Sequence, residues 1–325
     1  GSPIPGVEER ASGAIRAPGA PRTRPDLHAE HARARAARMS DDLRRAHPWD
    51  DKERTLALVA RLQREREFRD ATGSHFVDGV RGLIAALDAD HEVVALLHSE
   101  QLLRPTLARQ HVRALRRRGV PTVNLSPEQF RRIAQLERAS GVGLVLRQRW
   151  SKLHRTPPGR GLCWLAVERI RSPGNLGTLL RSADGAGADG LVCLGDLVDP
   201  FDPAVVRASM GAFFRQRLFR AGPTAFAHWV RRHRLSVVGA SPEAETDFQR
   251  CRYRRPTVLL LGDERRGLSE SQRALCDQLV RIPMVGAGDS LNVAIAGSLL
   301  LYELRRVHPR RSRTSRGHER SARPT

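Results

Sequence analysis

Lysine is almost missing from this chain. Only Lys52 and Lys152 occur, and every other side-chain base of this class is arginine. A GC-rich genome prefers arginine codons and accounts for that exchange. It does not account for 56 Lys+Arg against 35 Asp+Glu, a net charge of +21. A surplus of this size favours a polyanionic partner, because arginine forks match phosphate geometry and phosphate contacts release counterions. The bases do not flank an apolar lipid-binding face, which points to nucleic acid rather than a membrane surface. Cysteine is scarce too: Cys163, Cys193, Cys251 and Cys276 lie 25 or more residues apart, with no C-x-x-C pair. That spacing excludes a zinc ribbon and offers no disulfide framework, so buried thiols in a reducing cytoplasm are expected. Also absent is any run near the roughly 18 apolar residues a membrane-spanning helix needs.

With 325 residues and 40% hydrophobic content, the chain has room for two ordinary domains. Residues 1–50 are rich in Ala, Arg, Pro and Gly without a sustained apolar period, and read as a disordered basic arm. Glu8, Glu9, Asp26 and Glu30 are unusual in a transit peptide. Residues 307–325 read as a basic, solvated tail. Between these arms helical and strand patterns alternate. Over 51–149, Leu56, Val59 and Leu62 mark a helix, "EVVALLH" a buried strand, and "TLARQHVRALRRRG" an amphipathic helix ending at Gly119. "PTVNL" is the next strand, Ser126 with Gln129 form a capping box, and "GVGLVLRQ" closes a small α/β unit. Residues 150–161 have linker composition, and 162–306 form a second α/β domain. Its segments include "LCWLAVE", "NLGTLLRSADGAG", "PAVVRASMGAFF", "PTVLLLGDE", "VRIPMVG" and "SLNVAIAGSLLLYELRR". Such alternation implies a mainly parallel sheet covered by helices.

Gly185, Gly187 and Gly190 are spaced G-x-G-x-x-G, the letters of a dinucleotide fingerprint. That loop must follow a strand and open a helix, so that the helix N-terminus faces a pyrophosphate. Here the glycines follow a helical run and precede the strand "LVCLG", so they read as a helix end and a tight return.

Three other segments carry sharper signals. "SPGNLGTLLRSA" places Asn175 and Gly177 at a helix beginning near Asn175, with Arg181 less than two turns along; an ordinary capped helix with a surface arginine reads the same way. "VLLLGDERRGLSE" runs a strand straight into Gly262, Glu264 and Gly267, where ligands of open α/β sheets bind. "RIPMVGAGDSLNVAIAG" puts Ser290 and Asn292 at the mouth of an apolar helix, where Ser290 has at least the makings of an N-cap.

Together, N-x-G-x-x-x-R, G-x-E-x-x-G-L and I-P-M…S-L-N-V-A-x-A resemble the SpoU/TrmH family of RNA ribose 2′-O-methyltransferases, in the SPOUT superfamily. The resemblance covers roughly 162–306 and extends loosely upstream, where "EREFRDATGSHFVDGVRGLIAAL" looks like a small substrate-recognition domain with Asp78 where Glu is usual. It implies a C-terminal domain with a trefoil knot, a homodimer, and S-adenosylmethionine as methyl donor, with no metal. Donor contacts would fall at Gly262, Ile282 and Leu291, with Leu261 and Met284 close by. The functional polar residues would be Asn175, Arg181, Glu264, Ser290 and Asn292. Arg181 is assigned to the reaction centre across a dimer interface; a donor-only guanidinium suits a phosphate anchor better than a base. Near Gly211, Arg207, Ser209 and Arg215 are candidate RNA contacts. Ribosomal RNA is favoured over tRNA, because an extra domain suits a structured target. A self-resistance rRNA methyltransferase and a non-catalytic RNA-binding scaffold stand as rivals.

Overall fold

The computed structural model describes residues 49–158, 163–286, 288 and 290–308; the two expected arms fall largely or wholly outside these. The first sheet grows from short β-branched and apolar stretches separated by capped helices. Helix α1 (Lys52–Arg64) is capped by the Asp51 side chain, which accepts from the Arg54 amide, and buries Leu56, Val59 and Leu62. Helix α2 (Arg66–Thr72) stops at Gly73, whose φ of +58° suits a residue without Cβ. Then follow β1 (Ser74–Asp78), α3 (Val80–Asp88), β2 (Val93–His98), α4 (Thr106–Arg117), β3 (Thr122–Asn124), α5 (Pro127–Ile133) and β4 (Val142–Arg147). The capping box of Ser126 and Gln129 is formed in both directions at α5. The sheet order is β1-β4-β2-β3. Strand β4 runs antiparallel to both its neighbours, while β2 and β3 are parallel, so this sheet is mixed.

The second sheet has seven strands: β5 (Cys163–Val167), β6 (Gly190–Leu194), β7 (Leu218–Ala221), β8 (Ser236–Ala240), β9 (Thr246–Asp247), β10 (Thr257–Leu261) and β11 (Gln278–Arg281). Its order is β7-β6-β5-β10-β8-β11-β9, and every pairing is parallel. Strands β5, β6 and β10 are buried at every position, which explains why they read as unbroken apolar runs. Helices α6 (Pro173–Ala186), α7 (Pro203–Ala208), α8 (Ala212–Arg215), α9 (Pro223–Arg232), α10 (Glu270–Leu275) and α11 (Val293–Val307) connect or cover them.

Three local readings shift and one holds. Helix α6 begins at Pro173, capped by Ser172, two residues before Asn175. It ends at Gly187 with φ +82°, so the fingerprint-like glycines do close a helix and lead into β6. "PAVVRASMGAFF" is two short helices, because Met210 and Gly211 both adopt left-handed conformations. Strand β11 stops at Arg281 rather than continuing through "IPMVG", since Pro283 has no N–H for a ladder.

The sheets share one apolar core, in which Val77, Leu96 and Leu144 belong to the same cluster as Leu165, Leu191 and Leu259. At the junction the His75 ring lies edge-on to Phe201 at 5.0 Å and Phe213 at 5.5 Å. Arg69, 2% exposed, donates to the Leu62 carbonyl and to the Asp199 carboxylate across the junction. The first residues of the expected linker are packed: the Ser151 amide donates to the Leu218 carbonyl, Leu153 is buried, and Trp150 lies edge-on against Phe201. All four cysteines are free, and burial pushes the Cys163 and Cys193 thiols up to about 12, which makes them inert. Among the described residues no helix is long and apolar enough to cross a membrane.

Burial, helped by nearby His91 and Arg69, holds the His75 imidazole down at about 3. The unfolded chain takes up a proton near the ordinary value, so this group's stabilisation is complete above it and drains away as pH falls from about 6.5 toward about 3. Burial lowers His91 and His98 in the same direction. Urea unfolding should therefore show roughly 2 kcal/mol less stability at about pH 5 than at about pH 7 from His75 alone. His75→Phe should flatten that slope.

Candidate active site

In a parallel sheet all carboxyl ends lie along one edge, so the loops after β5, β8, β10 and β11 emerge side by side. The loop after β10 is the tightest. Gly262 packs so closely that a Cβ there would sit 2.1 Å from the Gly267 carbonyl oxygen. Asp263 and Gly267 exchange two backbone hydrogen bonds of 2.9 Å, and Gly267 has φ +67°. The Asp263 carboxylate accepts from the amides of Arg265 (2.8 Å) and Arg266 (3.1 Å). Burial opposes its charge, but those amides with Arg171 and Arg169 outweigh burial and hold the group below the usual carboxylate value.

This turn presents Glu264 to α6. Asn175 Nδ2 donates to Glu264 Oε1 at 2.8 Å, and Asn175 Oδ1 accepts from Asn292 Nδ2 at 3.1 Å. Asn292 Oδ1 in turn accepts from the amides of Ala294 and Ile295, so Asn292, not Ser290, caps α11. Asn has both an acceptor and donors on one short side chain, which lets it close a loop contact and a helix end at once. Ser290 is exposed at the mouth of the cleft.

The cleft itself has a volume of about 280 Å³. Leu261, Gly262, Glu264, Ile282, Met284, Ser290 and Leu291 all line it, so three separated loops meet there. Pro283 ends β11 one residue past Ile282 and turns Ile282 and Met284 toward this space. Arg181 is not among the lining residues: it stands exposed on α6 and donates to no acceptor among the described residues. Of the candidate RNA contacts, Arg207 is exposed. Ser209, the other expected RNA contact, is fully buried, its hydroxyl donating to the Val206 carbonyl and accepting from the Phe213 amide, which gives it a packing role in this chain. Arg215 forks onto Asp184 of α6, at 2.6 Å for its shorter bond.

The sequence reading overlooked Ser241. It follows β8, lines the same cleft, and its buried hydroxyl has no hydrogen-bond partner among the described residues. An orphaned buried hydroxyl costs free energy unless a ligand satisfies it. Its signal was the one used for Gly262, an apolar strand ("LSVV") running into small residues at a carboxyl end. The donor set, with apolar walls, a glycine-exposed backbone and one unpaired hydroxyl, fits a nucleoside-like cofactor. Among the described residues no group of His, Cys, Asp and Glu is placed to hold a metal ion.

Residues 163–302 match the SpoU rRNA Methylase family. A 23S rRNA (uridine(2479)-2′-O)-methyltransferase of Streptomyces viridochromogenes is 33% identical over 73% of this chain and 84% of that protein. The chain belongs to the SpoU rRNA methylase family. Among solved structures, the AdoMet-bound rRNA methyltransferase of Sinorhizobium meliloti superposes on this SpoU chain with a TM-score of 0.72 at 31% identity, covering 78% of this chain and 95% of that one. The SpoU methyltransferase AviRb of Streptomyces viridochromogenes, in complex with AdoMet, gives 0.71 at 31% identity, over 78% and 97%.

Two substitutions test this architecture by chemical denaturation. Gly262→Ala drives a Cβ into backbone and should cost at least about 2 kcal/mol. Asn175→Ala breaks two partly exposed bonds and should cost only about 1 kcal/mol.

Proposed function

We propose that this SpoU chain transfers a methyl group from S-adenosylmethionine to a ribose 2′-hydroxyl of ribosomal RNA in the cytoplasm. The observation that carries this is the meeting of Gly262, Ile282 and Leu291 around one cleft, edged by the Asn175–Glu264–Asn292 chain. Relatives named for 23S rRNA support that RNA over tRNA; their names specify a uridine in one case and a guanosine in another, so the proposal stops at the RNA class. The first sheet, with Arg113, Arg116, Arg117 and Arg118 exposed at the end of α4, is proposed as the RNA-recognition part. A knotted crossing of the chain around the cleft belongs to the same proposal.

When bound, the cofactor supplies an electrophilic sulfonium methyl whose leaving group is a neutral thioether. The chain's own residues have the work of binding and orientation. The exposed backbone at Gly262 and the hydroxyl of Ser241 offer polar contacts, and Leu261, Ile282 and Leu291 exclude water. Glu264 and Asn292, both held by Asn175, fix the loop and the helix end relative to one another. Arg181 has five unspent donors, suited to an RNA phosphate and to the charge that develops on the attacking oxygen.

We propose further that Arg181 serves the cleft of a second copy. On α11, Ile295 (52% exposed), Leu299 (42%) and Tyr302 (54%) form an unpartnered apolar stripe. Helix α6 lies against α11 through Ser182 and Ser298, 2.6 Å apart. A homodimer covering that stripe would carry the exposed flank of α6, with Arg181, into the interface.

Arg181→Ala should abolish methyl transfer to rRNA while leaving S-adenosylmethionine affinity within about twofold, since the residue is outside the cleft. Equal loss of both would overturn this division. Mixing inactive Arg181→Ala with inactive Leu291→Arg protein should restore activity, because one hybrid cleft then has an intact wall and an intact arginine. No recovery would assign Arg181 to its own cleft.

A further inference from the structure

A second cavity, of about 340 Å³, lies at the junction of the two sheets, between the start of α3 and the α7–α8 turn. We propose that it is a subsite for a single unpaired nucleobase of the RNA, next to the nucleotide that is methylated. The proposal rests on the RNA-directed reading above and adds a place and a chemistry to it.

The walls suit a flat, weakly polar ring. Val80 and Leu136 line one side, and Val206, Met210 and Phe214 the other. Leu136 and Met210 are 38% and 47% exposed, an apolar surface that water covers at a cost and that a stacked base would cover instead. Met210 reaches this position from a left-handed backbone (φ +54°), followed by Gly211 at φ +94°. Non-glycine residues rarely take that conformation, and the thioether it presents is the most adaptable apolar lining available.

The charge at the cavity is complementary to a polynucleotide. Arg81 and Arg207 line it, with the Arg81 guanidinium against the Met210 sulfur and Arg207 donating to no acceptor among the described residues. The one acid present, Asp78, is committed: its carboxylate accepts from the amides of Gln135 and Leu136 and from the Ser140 hydroxyl. Two guanidiniums around an apolar slot fit a base whose flanking phosphates remain outside. An apolar peptide would bring no anion to either guanidinium, although Arg207 has a nearby carboxylate, that of Asp78.

The position fits a neighbour of the target. Helix α7 contributes Val206 and Arg207 to the cavity and packs its other side on α6, where a Cβ at Gly177 would fall 2.4 Å from that of Ala208. The cavity therefore lies about one helix diameter, roughly 10 Å, from α6, the helix that carries Arg181.

The test uses the full chain and a short oligouridylate carrying one 4-thiouridine, irradiated and mapped by mass spectrometry. Crosslinks are expected in Val80–Gly82 or Met210–Gly211, and excess unlabelled oligouridylate should compete them away where an abasic oligomer of the same length does not. Leu136→Trp, which fills the slot, and Arg207→Ala, which keeps it open, should each weaken oligomer binding about tenfold and raise KM for rRNA with kcat nearly unchanged. Crosslinks confined to other surfaces, or equal affinity for abasic and base-bearing oligomers, would overturn the subsite. If rRNA is methylated normally while crosslinks avoid the cavity, only the subsite fails. If crosslinks map here but no RNA is methylated, the subsite stands and the methyl-transfer reading falls.

Discussion

Everything at the cleft depends on one carboxamide. Asn175 ties Glu264 and Asn292 together across sequence separations of 89 and 117 residues. Both bonds are partly open to water, so together they contribute only about 1 kcal/mol to folding. Its importance is geometric. Without that bridge the α6 start, the β10 turn and the α11 cap have no common polar reference, and a cofactor cleft made from three loops needs one.

Around this bridge the construction is rigid. The tight Asp263–Gly267 turn closes on itself and offers almost no room at Gly262. The first sheet is fixed to the second by a shared apolar core, a buried Arg69–Asp199 pair and an aromatic cluster around His75. Breaking a buried ion pair by removing one partner is strongly destabilising. The basic surface of α4 is thereby held at a set distance from the cleft.

Much of this was legible in the residues, for identifiable reasons. Parallel strands buried on both faces announce themselves as apolar runs, and "CWLAV" and "TVLLL" did so. The glycine pattern at 185–190 was correctly rejected because element order, unlike letters, carries the physics of phosphate binding. What stayed hidden depends on tertiary pairing. Nothing local says that β4 inserts antiparallel between β1 and β2. The break at Met210 hides inside a helical pattern because a methionine conceals the left-handed backbone that a glycine would advertise. Ser209 looked like a surface hydroxyl, yet its neighbours bury it. Ser241 has no mark of its own in the sequence, and only the assembled cleft shows its hydroxyl without a partner among the described residues.

The uniform direction of the second sheet has one more outcome. With the carboxyl ends of β8, β10 and β11 at the cleft, the amino ends of β8 and β10 open on the far side, where Arg234, Arg254 and Arg255 are exposed. Five-residue strands separate the two edges by about 17 Å, at about 3.3 Å per residue. Dyes, affinity handles or surface tethers attached along that remote rim would stand a full strand length away from the cleft.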